Sequence, residues 1–152
     1  VSSYARGMAL EPVFGAPKSP KQSADLFVLM PFTAALKPIY DNHLKKVAKK
    51  IKLSIRRGDD IFSAHPVMED IWADIHASRL MIADCTGRNA NVFYEIGIAH
   101  TVGKPVILIT SSKDDIPFDV KHVRFIEYVY SPPGMKSFEK NLERTIKEEL
   151  KL

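Results

Sequence analysis

Cysteine is nearly absent from this chain: Cys85 is the only one in 152 residues. An internal disulfide framework is therefore excluded, and a reducing, cytoplasmic setting is expected. Glycine-rich phosphate loops are also missing. Neither a GxGxxG fingerprint nor a GxxxxGK(S/T) loop occurs, so neither a Rossmann dinucleotide site nor a P-loop is supported. No His and Cys cluster has zinc spacing, and neither a metal nor a cofactor is expected. No apolar run approaches the ~20 residues that span a bilayer. No apolar h-region opens the chain, so no secretory leader and no membrane partner are expected. Charge of one sign is not in large excess: 22 Lys and Arg stand against 18 Asp and Glu, a formal net charge of +4. That imbalance favours anionic ligands but does not indicate nucleic acid.

What is present fits one globular domain, with 45% hydrophobic and 26% charged residues. Residues 1–24 carry Pro12, Pro17 and Pro20 with Gly7, Gly15 and several Ser and Lys, the composition of a linker or draped arm that Val13 and Phe14 could anchor. The domain proper is expected over residues 25–152. Its strands read as short apolar runs near 26–30, 53–56, 79–84, 106–110 and 124–128, the last alternating with polar residues as an edge strand does. Between them lie helical stripes: Leu36, Tyr40, Leu44, Val47 and Ile51; Val67, Ile71 and Ile75, opened by Pro66; then a third segment that Asn89 or Asn91 can cap. Pro132-Pro133-Gly134 reads as a break, with a last helix from about Ser137 carrying Phe138, Leu142, Ile146 and Leu150. Lys45, Lys46, Lys49 and Lys50 on the first helix read as a solvated face, and nucleic acid is not an expected partner. Strands alternating with helices imply a flavodoxin-like α/β three-layer sandwich with a parallel sheet in the order 2-1-3-4-5.

One stretch organises the chain, from Ile82 to His100. The run Leu80-Met81-Ile82-Ala83 ends in Asp84, a polar turn follows, and Asn89 or Asn91 opens an apolar helix. On that helix Glu95 points among Val92, Ile98, Ala99 and Val102. A carboxylate in such surroundings is costly unless paired, hydrogen-bonded or protonated. It is either a first-turn partner of the helix dipole or a functional group. Cys85, next to it in the fold, is either a catalytic thiol or a small buried hydrophobe.

In a 2-1-3-4-5 sheet, ligands bind at the switch point between strands one and three, outside the carboxyl ends of the strands. Phe32, Asp84, Asn89, Asn91, Tyr94 and Glu95 are placed there by sequence, with Arg57 nearby. Phe32 and Tyr94 suit stacking on a planar base, and Asp84, Asn89 and Asn91 suit bonding to sugar hydroxyls, although core packing and helix capping account for the same residue types. A carboxylate at Glu95 suits cleavage at an anomeric carbon.

The set Asp84, Asn89-Ala90-Asn91-Val92-Phe93-Tyr94-Glu95-Ile96-Gly97-Ile98-Ala99 and Gly103-Lys104-Pro105-Val106 resembles the nucleoside 2-deoxyribosyltransferase family and the related TIR-like domains. The resemblance spans roughly Asp25 to Tyr128. It implies a flavodoxin-like fold and Glu95 as the residue of N-glycosidic bond cleavage. A nucleotide or nucleoside is then the small-molecule partner, with NAD as a candidate substrate. The alternative is a non-catalytic module that senses a nucleotide and acts through self-association, as a homo-oligomer. Asn91-Val92 stand where deoxyribosyltransferases carry Gly-Thr, a departure that leaves the Glu95 position intact.

Overall fold

The computed structural model describes residues 4–5, 8–9, 11–20, 22–58 and 68–152. The chain opens on a small antiparallel hairpin, β1 (Tyr4–Ala5) with β2 (Met8–Ala9). The main sheet has five strands: β3 (Leu26–Leu29), β4 (Ile55–Arg57), β5 (Leu80–Asp84), β6 (Val106–Thr110) and β7 (Phe125–Glu127). All neighbours are parallel, in the order β4-β3-β5-β6-β7. Counted within this sheet, that is the anticipated order 2-1-3-4-5, and the fold is the anticipated flavodoxin-like α/β sandwich.

Strand residues alternate between two cores. On one face Leu26, Val28, Leu80, Ile82, Ile107 and Ile109 meet the first and last helices. The first is a continuous coil, π-helical over Ile39–Leu44 and α-helical as α1 (Lys45–Lys50). The last is α4 (Pro132–Leu150), which contributes Met135, Phe138, Leu142 and Ile146. On the other face Phe27, Leu29, Met81, Ala83 and Leu108 meet α2 (Met68–Ala77) and α3 (Ala90–Thr101). Every residue of β5 is fully buried, as a central parallel strand covered on both faces must be.

Two local expectations are corrected. The second strand, expected over 53–56, runs on through Arg57, and both Arg56 and Arg57 at its end are buried. Arg56 is tolerated there because its Nη1 donates to Asp74 Oδ1 of α2 at 3.1 Å and also to the Gln22 carbonyl. Burial still pushes Asp74 up to about 6, against the lowering influence of Arg56. Pro132-Pro133-Gly134, expected to break the chain, instead forms the first turn of α4. The first helical N–H groups have no intrahelical acceptor, so prolines lose nothing there. Ser131 caps the helix, its Oγ accepting from Gly134 N at 3.1 Å. Pro66 and Val67, expected to open the second helix, lie outside the described residues.

Phe14 and Gly15 lie over α2. Phe14 packs on Trp72 with ring centroids 5.4 Å apart, and Trp72 Nε1 donates to the Gly15 carbonyl at 3.2 Å. Val13 is exposed. At the far end of α2, the Lys104 ammonium donates to the carbonyls of Ser78 and His76, satisfying groups that a helix end leaves open.

Gly134 makes a sharp test of packing against propensity. An added Cβ would lie 2.2 Å from the Val129 carbonyl oxygen, a backbone atom with little freedom to move. Propensity alone favours alanine in a helix by about 1 kcal/mol. Steric conflict should outweigh it, so Gly134→Ala is expected to lose about 1–3 kcal/mol, read as a lower urea midpoint with an unchanged m-value.

Candidate functional site

The site is built on the turn that leaves β5. Asp84 ends the strand with its side chain fully buried. Its Oδ1 accepts from Thr86 N and its Oδ2 from Tyr128 Oη, both at 2.9 Å. Burial raises the Asp84 pKa, and the bonds from Thr86 and Tyr128 pull the other way. Tyr128 is pushed up as well, by its own burial and by the Asp84 charge. The turn is then fastened from the neighbouring loops: Ser111 N donates to Thr86 Oγ1 at 3.0 Å, and Gly87 N to Asp115 Oδ2 at 2.8 Å. Gly87 and Arg88 both have positive φ, 81° and 55°, which reverses the chain into α3. Asn89 is the N-cap, its Oδ1 accepting from Asn91 N at 3.0 Å and Val92 N at 3.2 Å.

This places the sequence-derived candidates in different settings. Phe32 and Asn89 stand at the carboxyl edge of the sheet, beyond the register pair Leu29 and Ala83 that joins β3 to β5. Phe32 is 58% exposed, an open aromatic surface at the switch point. Asn91, the second residue of α3, is exposed. Asp84 lies beneath the turn with both oxygens engaged, as a positioning group. Tyr94 sits elsewhere: it is 58% exposed and lines a groove against α2 and residues 11–14. Arg57 is buried at the end of β4, its guanidinium 5.0 Å from the centre of the Tyr40 ring and its Nη1 3.6 Å from Met30 Sδ.

Glu95 is the sixth residue of α3, past the first-turn amides that a cap or dipole partner would serve. Those amides are met by Asn89, so Glu95 is not the cap. It is half-buried, and among the described residues it has no hydrogen-bond or ion-pair partner. Burial pushes its pKa up to about 7. At neutral pH this carboxyl therefore exists in both forms, the condition suited to a group that must carry charge or a proton on demand. Cys85 has no such readiness. It is fully buried, and burial together with the charges of Asp84 and Asp115 pushes the thiol up to about 12, which leaves it a small hydrophobe.

Thr86, Asp115 and Tyr128 were not among the sequence candidates, although they hold the turn. Tyr128 follows the fifth strand at its carboxyl edge, which is the one signal that pointed to it. Among the described residues, no group of three His, Cys, Asp or Glu side chains is placed to hold a metal ion. No described helix is long and apolar enough to cross a membrane.

The raised Glu95 pKa has a sign that can be checked. Below about 4.5 the group is protonated whether the chain is folded or not. Between 4.5 and 7 the unfolded chain ionises while the folded one resists, so folding stability falls as pH rises through that window. Glu95→Gln cannot ionise. Its stability relative to the parent should be level at pH 4 and rise to about 1–3 kcal/mol by pH 8, measured by urea denaturation at both pH values. Asp74 and Asp84 titrate in the same sense in both proteins and cancel in the difference.

No family model matches the chain, and no curated protein matches it. Among solved structures, the chain is similar to the TIR domain of the Toll-related receptor TRR-2 from Hydra magnipapillata, with a TM-score of 0.62 and 15% sequence identity. The likeness covers 82% of this chain and 98% of that one. At that identity it speaks for the fold: the chain has the flavodoxin-like fold of a TIR domain.

Proposed function

We propose that this chain is a TIR-like module that takes a nucleotide or nucleoside into the crevice beside α3 and signals through self-association. The observation that carries this reading is the likeness in fold over nearly the whole of a receptor's TIR domain. The rim at the switch point supplies the ligand side of the proposal. Phe32 offers an exposed ring for a planar base, and Asn91 and the amide nitrogen of Asn89 offer donors to sugar hydroxyls. Asp84 and Tyr128 serve by holding the turn in place.

A second reading is favoured by Glu95 itself, half-buried and unpartnered. In this reading the module cleaves an N-glycosidic bond. The Glu95 carboxylate attacks the anomeric carbon, the carbon–nitrogen bond breaks, and the base leaves with the electron pair and takes up a proton. Water then hydrolyses the glycosyl ester, or a second base captures it in a transferase of the deoxyribosyltransferase kind. NAD is one candidate substrate, and no resident cofactor is needed. Only the ionised form attacks, so turnover should rise with pH through about 7.

Incubation with a panel of nucleosides, nucleotides and NAD, with free base followed by chromatography and mass by sedimentation, separates the two readings. A cleaving enzyme should release base, with the rate falling by orders of magnitude in Glu95→Gln and ligand affinity changing only a few-fold. A sensing module should release none while its sedimentation shifts on adding one ligand. Base release by Glu95→Gln at the parental rate would remove Glu95 from the chemistry. No release and no ligand-dependent shift with any compound would overturn both readings.

A further inference from the structure

A groove of about 820 Å³ lies between the first helix and α4, on the face of the sheet opposite α3. Val47 and Met135, both part of the core on that face, form its floor, and the exposed Tyr130 stands beside them. Two carboxylates line it, and both are already met from within the chain. Glu139 pairs with His43 Nδ1 at 2.8 Å and Lys46 Nζ at 3.0 Å. Glu143 pairs with Lys50 Nζ at 2.8 Å and Lys147 Nζ at 3.1 Å. Lys136 and Lys140 also line the groove, and neither has an ion-pair partner among the described residues. The charge left over in the groove is therefore positive.

The loop between β6 and β7 carries the complement. Its buried Ile116 and half-buried Val120 anchor it in the core on the α3 side of the sheet. Between these anchors Phe118 opens a short 3-10 turn, Phe118–Val120, and is 85% exposed, against 58–59% for Phe32, Tyr94 and Tyr130. Asp114 and Asp119 are exposed beside it, without an ion-pair partner among the described residues, and Asp115 is engaged by Gly87 N. Against these three aspartates stand two lysines, Lys113 and Lys121, so residues 113–121 are acidic in a chain of net charge +4. Knob and groove lie on opposite faces of one sheet, so a single chain cannot close on itself. Two grooves set face to face would bring Lys136 and Lys140 against their own copies, a like-charge contact. A ring from the knob of a second copy would instead leave water for Val47, Met135 and Tyr130, with Asp114 and Asp119 brought to the free lysines. We infer that copies of this chain join head to tail, Phe118 of one entering the groove between the first helix and α4 of the next; this rests on the self-association proposed above. A contact between two different surfaces repeats from copy to copy, so the product is a ring or an open filament.

The full chain is sedimented over a concentration series at low and high salt, alone and with the nucleotide panel. The parent should grow in mass with concentration, less so at high salt. Phe118→Ala, and the double variant Lys136→Glu with Lys140→Glu, change exposed positions and should keep the melting temperature. Each should raise the concentration needed for assembly at least about tenfold. An equal mixture of the two variants should give a dimer and nothing larger. The intact knob of one then fills the intact groove of the other, and the remaining knob and groove are both defective. Parental assembly that neither variant weakens, or two defective variants that stay monomeric when mixed, would overturn the inference and leave self-association standing. A parent that stays monomeric under every condition would overturn both.

Discussion

The site depends on a carboxylate that never meets water. Asp84 ends the central strand with no exposed surface, and among the described residues no cation pairs with it. A carboxyl so placed is tolerable because both oxygens accept hydrogen bonds, one from its own turn and one from Tyr128. The second bond ties the end of β5 to the residue just after β7, across the width of β6. It sets where the turn from Thr86 to Asn89 lies, and that turn sets where α3 begins. Moving Asp84 would shift α3, and Glu95 with it.

Helix α3 presents three different surfaces. Val92, Ile96 and the small Ala99 are buried against the sheet. Glu95 flanks this buried strip, near enough to the core to be desolvated and too far along the helix to serve its N-terminal amides. Tyr94 and Gly97 face outward onto the aromatic groove. One helix therefore positions an unpartnered carboxyl on one side and a wall of a separate cavity on another, with the sheet between strands one and three setting the first and residues 11–14 helping to build the second.

Parallel β-structure explains why the edge beyond Leu29 and Ala83 is where chemistry would collect. All five strands end on the same side, so the residues that follow them gather at one rim. The β3–β5 register brings the segment containing Phe32 beside the turn after Asp84. Arg57 arrives at the same rim from β4, but it is packed against Tyr40 and Met30 below the surface. Of the polar candidates, Asn91 and Asn89 remain at the rim, and Asp84 lies beneath it.

By itself, the sequence determined the strand runs, the helical stripes, the sheet order and the carboxylate on α3, because apolar periodicity and helix-capping residues act over a few neighbouring positions. Those signals are local, and they were legible. Only the tertiary structure decided that Arg56 could end a buried strand, since its partner Asp74 lies on α2 and Gln22 in the arm. It alone decided that Asp84 is a buried positioning group bonded to Tyr128, 44 residues away. It also turned Tyr94 out of the crevice and onto a groove completed by Phe14 and Glu11. In each case the deciding partner is distant in sequence. Whether a polar group is buried and bonded, or exposed and free to act, depends on what packs against it once the chain has folded.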